Sequence, residues 1–245
     1  FDLRSDYLRM TESNVLVPIT IQVPYKSLTF KEEASSATGA KAMHATGRIE
    51  GRIKNLSGRI VGRIDDPIEV LLTPAQYRPD GYALYQKAMN LAPGLYQLFL
   101  VVNDAKSNNS GTKEVRLEVK RFPEGNLSAS SLILADLVDN LPPRTVATMF
   151  QIGSLKVRPS VRKEFNRDQE MNLFAQVYGL KLDEKTHKPD VTTEVLITRD
   201  GQEVKKLTDQ ITEVAGAAAQ MNVVKQIPMK DFDPGQYAIQ LKITD

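Results

Sequence analysis

The residues of this chain with the means to do acid–base or metal chemistry are few and scattered. Its two histidines, His44 and His187, lie far apart in sequence. His44 falls on the polar side of an alternating segment and His187 in a charged stretch. Both therefore read as solvated side chains, not as a general base or zinc ligands. Asp183, Glu184 and Asp190 bring carboxylates into one stretch, but Lys185 and Lys188 intervene and the dense spacing of a calcium loop is missing. Asp104, Ser107, Asn108 and Asn109 offer a second set of oxygen ligands; the same residue types are what a tight turn uses to bond its own backbone. The absence of cysteine removes thiolate ligands, disulfides and cysteine nucleophiles. No G-x-S-x-G surrounds Ser131, and the glycines of G-R-I-E-G-R-I form neither a P-loop nor a dinucleotide fingerprint. These residues predict no catalytic group, no metal and no cofactor.

One group of charges is organised. Arg48, Arg52, Lys54, Arg59 and Arg63 fall on the outward side of two consecutive alternating segments, interrupted by Glu50 and bordered by Asp65 and Asp66. Successive outward residues of a strand stand about 6.6–6.8 Å apart, so pairing of the two segments predicts a candidate anion-binding patch. The competing expectation is a solvated, salt-bridged sheet face.

The elements that would position these residues are strands. From Met43 to Lys54 an apolar or small face of Met43, Ala45, Gly47, Ile49, Gly51 and Ile53 opposes His44, Thr46, Arg48, Glu50, Arg52 and Lys54. Val15–Val23 alternates in the same way, with Pro18 suggesting an edge strand or a bulge. Residues 33–40 and 215–220 read as small-residue loops, Tyr82–Leu91 as a strand or a helical turn, and Asp200-Gly201 as a two-residue hairpin. Met171, Leu173, Ala175 and Val177 share one face of a further strand.

A longer pattern occurs twice, 141 positions apart. Pro93-Gly94-Leu95-Tyr96 leads into a strand ending at Asp104, and Pro234-Gly235-Gln236-Tyr237 into one ending at Asp245. Short strands with frequent turn signals, together with this repeat, predict an all-β protein of two tandem immunoglobulin-like antiparallel β-sandwich domains at 1–122 and 128–245. After Asp104 comes a turn and a returning strand at Val115–Val119; no such strand follows the second copy in this sequence. The expectation is that the second domain lacks its final strand, supplied by a longer parent protein or by another chain.

Composition narrows the functional classes. Against 32 Lys+Arg stand 30 Asp+Glu, a net charge of +2 too mild for a nucleic-acid footprint. No apolar run is long enough to span a bilayer as a helix. Tryptophan is absent and aromatics make up 7%, which argues against stacking platforms of the kind sugar-binding sites use.

V-L-V-P-I-T-I-Q-V at 15–23, S-S-L-I-L-A-D at 130–136, K-V-R-P at 156–159, L-D-E-K-T-H-K-P at 182–189 and the two P-G-x-Y strands carry a resemblance. The chain resembles the C-terminal region of bacterial GWxTD-domain proteins, best known from acidobacteria, and related segments of von Willebrand A-related proteins. The G-W-x-T-D motif itself is absent from this tryptophan-free sequence. The resemblance implies a tandem β region of a larger exported protein, at a periplasmic, cell-surface or secreted location, with no catalytic residues to assign. The expected function is a non-enzymatic structural or interaction module that mediates self-association or assembly with other proteins. The alternatives are a module binding glycan or anionic polysaccharide, and the accessory region of an enzyme whose catalytic domain lies upstream.

Overall fold

The computed structural model describes residues 1–34, 39, 41–142, 149–212 and 220–245. Every sheet is antiparallel, and the described residues contain no α-helix. Contacts divide the chain into two compact units, Phe1–Arg121 and Phe122–Asp245. Phe122 packs edge-to-face on Tyr178 at a centroid distance of 5.5 Å, which is why it belongs to the second unit.

In the first unit the strands are β1 (Asp2–Ser5), β2 (Leu8–Thr11), β3 (Asn14–Pro24), β4 (Lys31–Ala34), β5 (Lys41–Asn55), β6 (Ile60–Leu72), β7 (Tyr82–Leu91), β8 (Gly94–Asp104) and β9 (Ser110–Val119). One sheet places β3 between β7 and the successive pair β1 and β2; the other runs β6, β5, β8, β9, with β4 beside the start of β5. The two sheets form an antiparallel β-sandwich. The core is the alternation of the sequence made solid: Val15, Val17, Ile19, Ile21 and Val23 from one sheet, Ile49, Ile53, Leu98, Leu100 and Leu117 from the other, all buried.

Two expectations change with this arrangement, and one open alternative is resolved. Pro18 does not mark an edge, because β3 is paired on both sides. The proline sits where β1, opposite residues 19–22, gives way to β2, opposite residues 14–16, so its missing N–H breaks no ladder bond on that side. Its carbonyl accepts instead from the Asp6 amide at 3.1 Å. Residues 33 and 34, expected in a loop, end β4 against β5. Tyr82–Leu91 is a strand, since its full length pairs with β3.

The second unit comprises β10 (Ser128–Ala129), β11 (Ile133–Asn140), β12 (Gln151–Ile152), β13 (Leu155–Pro159), β14 (Glu170–Tyr178), β15 (Val191–Arg199), β16 (Gln202–Ile211), β17 (Gln220–Pro228) and β18 (Ala238–Thr244). β14 is flanked by β17 and by β10 and β11 in turn, as β3 is by its neighbours. The opposing sheet is β16, β15, β18. Asp200 and Gly201 both take positive φ, 51° and 79°, between β15 and β16, as a tight two-residue hairpin turn requires. Met171, Leu173, Val177, Val191, Val195, Ile197, Val223 and Ile227 form the core between the sheets. Most of residues 215–220 lies outside the described residues.

Candidate functional site

The two signature strands make the same bonds in both units. Tyr96 donates its hydroxyl to the Ala92 carbonyl and Tyr237 donates to the Asp233 carbonyl, each at 2.8 Å and each four residues back. The turns at Pro93-Gly94 and Pro234-Gly235 fold the chain back to permit this, which makes each tyrosine a corner post. At the other end of the strand, Asp104 accepts from the Thr29 amide at 3.1 Å and Asp245 from the Lys181 amide at 2.8 Å. Thr29 follows β3 and Lys181 follows β14, so the paired aspartates tie equivalent crossings between the sheets.

Asp104 is saturated. The Thr29 and Ser107 hydroxyls each reach it at 2.5 Å, and the Ser107 amide at 3.0 Å. Burial pushes its carboxyl upward, but these four hydrogen bonds outweigh burial and bring the pKa to about 2. The Asn108 amide bonds the Asp104 carbonyl at 3.0 Å and the Asn109 amide bonds Ser107 Oγ at 3.2 Å. Asp104 and Ser107 are thus spent on one another, on Thr29 and on the turn that the Asn108 and Asn109 amides complete. Asp183 behaves likewise, accepting from the amides of Lys185 and Thr186 and the Thr186 hydroxyl at 2.7–3.0 Å. The Thr186 amide heads the causes that hold its carboxyl below the usual range. Asp190 accepts from Gln210. The described residues hold no group of three acids or histidines arranged for a metal ion.

His44 is less solvated than its outward position suggests. Its ring nitrogens face Glu33 at 3.1 Å and Glu69 at 3.2 Å, and Lys106 reaches Glu33 at 3.1 Å. Hydrogen bonds from His44 and then Lys106 hold the Glu33 carboxyl below its ordinary range. This is a clasp joining β4, β5, β6 and the β8–β9 turn.

A repeated ion pair escaped the linear reading. Lys87 of β7 bonds Asp66 of β6 at 3.0 Å, and Lys225 of β17 pairs with Asp209 of β16. Each pair links the edge strands of opposite sheets. The correspondence follows from register: Asp66 lies opposite Ile49, itself opposite Val102, while Asp209 lies opposite Thr193, itself opposite Ile243. Val102 and Ile243 are the same position of the signature. Tyr85 adds a 2.5 Å bond to Asp66, the first cause of that carboxyl's lowered pKa. The only sequence signal was a lysine and an aspartate on apolar faces, far apart in the chain.

These charges expose a difference among strands that have one partner. On their inward rows β6 carries Asp66, β7 Lys87, β9 Lys113, β16 Asp209 and β17 Lys225. Inward charge is a recognised guard against edge-to-edge pairing. β18 also pairs on one side only among the described residues, with β15, and its inward row of Ile239, Leu241 and Ile243 has no charge. Nor has it a proline or a register shift. Beside β9, the equivalent Leu98, Leu100 and Val102 of β8 are 0%, 0% and 6% exposed; Ile239, Leu241 and Ile243 are only half-buried.

The basic ladder is only partly assembled. Arg48 is neutralised by Asp65, at 2.5 Å and 2.6 Å. A register shift between Ile53 and Lys54 sets Lys54 opposite Ile60, so Arg59 leaves the row and lies in the turn, its amide on Asn55 Oδ1 at 3.0 Å. Arg52 and Arg63 are brought directly opposite one another, with Lys54 next along β5. Phe99 of β8 lies opposite Arg52 on its other side and is 42% exposed.

The fold and its edges define an all-β sandwich protein whose strand β18, among the described residues, has one partner and no inward charge. No protein-family model matches the chain, and no curated protein matches it. No helix among the described residues is long and apolar enough to cross a membrane.

Proposed function

We propose that this chain is a non-enzymatic association module whose second unit takes up a further β-strand along the free edge of β18. The observation that carries this reading is the contrast among the longer edges: of the described single-partnered strands of seven or more residues, β6, β7, β9, β16 and β17 hold an inward charge and β18 does not. An incoming antiparallel strand gains the ladder bonds of β18 and covers Ile239, Leu241 and Ile243, as β9 covers β8. The resemblance to the C-terminal region of GWxTD-domain proteins supports placing the module within a larger exported bacterial protein.

The test is hydrogen exchange of the β18 amides in the full chain, as its concentration rises and as a peptide with the sequence of Ser110–Val119 is added. Slowing of exchange at residues 238–244 is expected, and loss of that slowing in Leu241→Lys, which installs the missing inward charge. Fast exchange unchanged by chain concentration and by millimolar peptide overturns the reading.

A further inference from the structure

A second surface, on the first unit, is independent of the β18 edge. In the β6–β5–β8 sheet, Arg63, Arg52 and Phe99 lie in one cross-strand row, and Lys54 follows Arg52 on the same face of β5. Like charges directly opposite one another across a ladder repel and destabilise the pair. Neighbouring acids offer an escape that the side chains do not take: Asp65 is held by Arg48, and Glu50 accepts from Asn103 at 3.3 Å. Among the described residues, Arg52, Lys54 and Arg63 have no ion pair.

The fold does not impose this arrangement. By the same registers, Arg52, Arg63 and Phe99 correspond in the second unit to Leu196, Lys206 and Gln240. There Lys206 is neutralised by Glu194 at 2.6 Å, and Glu194 stands where Glu50 stands in the first unit. One sandwich thus neutralises its sheet face, while the other keeps two opposed guanidinium groups beside an exposed aromatic ring.

We propose that Arg52, Arg63, Lys54 and Phe99 form a binding site for an anionic polysaccharide. Two arginines whose Cβ atoms stand about 5 Å apart can turn their guanidinium forks onto one carboxylate or sulfate held from both sides. Lys54, about 6.7 Å further along the strand, meets a second anionic group of the same polymer. The ring of Phe99 gives an apolar face against which a sugar packs. The exposed sheet face suits an extended polymer better than a small ligand, which binds in enclosing clefts. Glu50, next to Arg52 along β5 in the neighbouring row, repels an acidic chain and bounds the site on that side.

The test is binding of the full chain to alginate, dextran sulfate and neutral dextran at low and physiological salt. Binding to either or both anionic polymers, weakening with salt and absent for dextran, is expected. Alginate preference identifies carboxylate as the group held by the arginine pair, and dextran sulfate preference identifies sulfate. Arg52→Gln/Arg63→Gln should lose at least tenfold in affinity and Phe99→Ala about threefold to tenfold, with Arg9→Gln on β2 unchanged. The double variant should unfold at the same or a higher temperature, since it removes a repulsion; a lower melting temperature would show the two arginines to be structural and overturns the proposal. Failure of the wild-type chain to bind either polymer, equal loss in Arg9→Gln, or tighter binding to anionic phospholipid vesicles also overturns it.

Discussion

Tyr237 and Asp233 are joined by a 2.8 Å hydrogen bond from phenol hydroxyl to backbone carbonyl, and Tyr96 and Ala92 are joined identically in the other unit. The bond sits at the sandwich corner where a Pro-Gly turn feeds the signature strand. Tyr237 also packs edge-to-face on Phe232 at 5.4 Å and beneath Arg199 at 5.7 Å, so the ring and the hydroxyl hold the turn from two directions.

Removing only the hydroxyl separates these contributions. Tyr96→Phe and Tyr237→Phe should each destabilise their unit by about 1 kcal/mol, the net worth of one hydrogen bond. Tyr237→Ala should cost about 3 kcal/mol or more through lost packing. Urea unfolding followed by circular dichroism measures both, with an unchanged m-value expected for the Phe variants.

Asp104 makes the first unit sensitive to acid. Its folded pKa of about 2 lies below the ordinary 3.8, so its contribution is complete above pH ~4 and disappears as pH falls through about 2. The difference corresponds to roughly 2 kcal/mol. Unfolding free energies measured from pH 5 to pH 2 should fall more steeply for the wild type than for Asp104→Asn. Parallel curves for the two proteins would remove Asp104 as a source of that slope.

Arg4 and Asp6 form a bidentate pair at 2.8–3.1 Å with side chains only 8% and 2% exposed, beside the point where β1 hands over to β2. Asp6→Ala removes the carboxylate from a buried guanidinium and should cost about 3–5 kcal/mol. Arg4→Met/Asp6→Leu, which replaces both charges by apolar side chains, should recover most of that loss. Thermal unfolding of the three proteins decides whether the charge or the packing matters.

Much of the architecture was legible because β structure writes itself as a period of two. The alternation of Val15–Val23 and of Met43–Lys54 marks strands whose inward rows are buried, and Asp200-Gly201 marks a hairpin through the positive φ that glycine tolerates. Where the pattern was mixed, at Tyr82–Leu91, the strand still formed: full pairing with β3 and the bonds of Tyr85 and Lys87 to Asp66 compensate for its polar inward residues. Pro18 misled because a missing donor implies an edge only when one continuous neighbour runs past it.

The candidate surfaces divide along the same line. Residue type and alternation determined that five cations could share a face, and the repeat determined that two strands would be built alike. Pairing alone decided the rest. Register opposed Arg52 to Arg63, gave Arg48 to Asp65 and turned Arg59 out of the row. It also brought Lys87 to Asp66 and Lys225 to Asp209, placing an inward charge on the edge strands β6, β7, β16 and β17, whereas β18 has none. A strand's own sequence sets which side faces inward, but its neighbours and its free edges are properties of the sheet, formed by residues far apart in the chain.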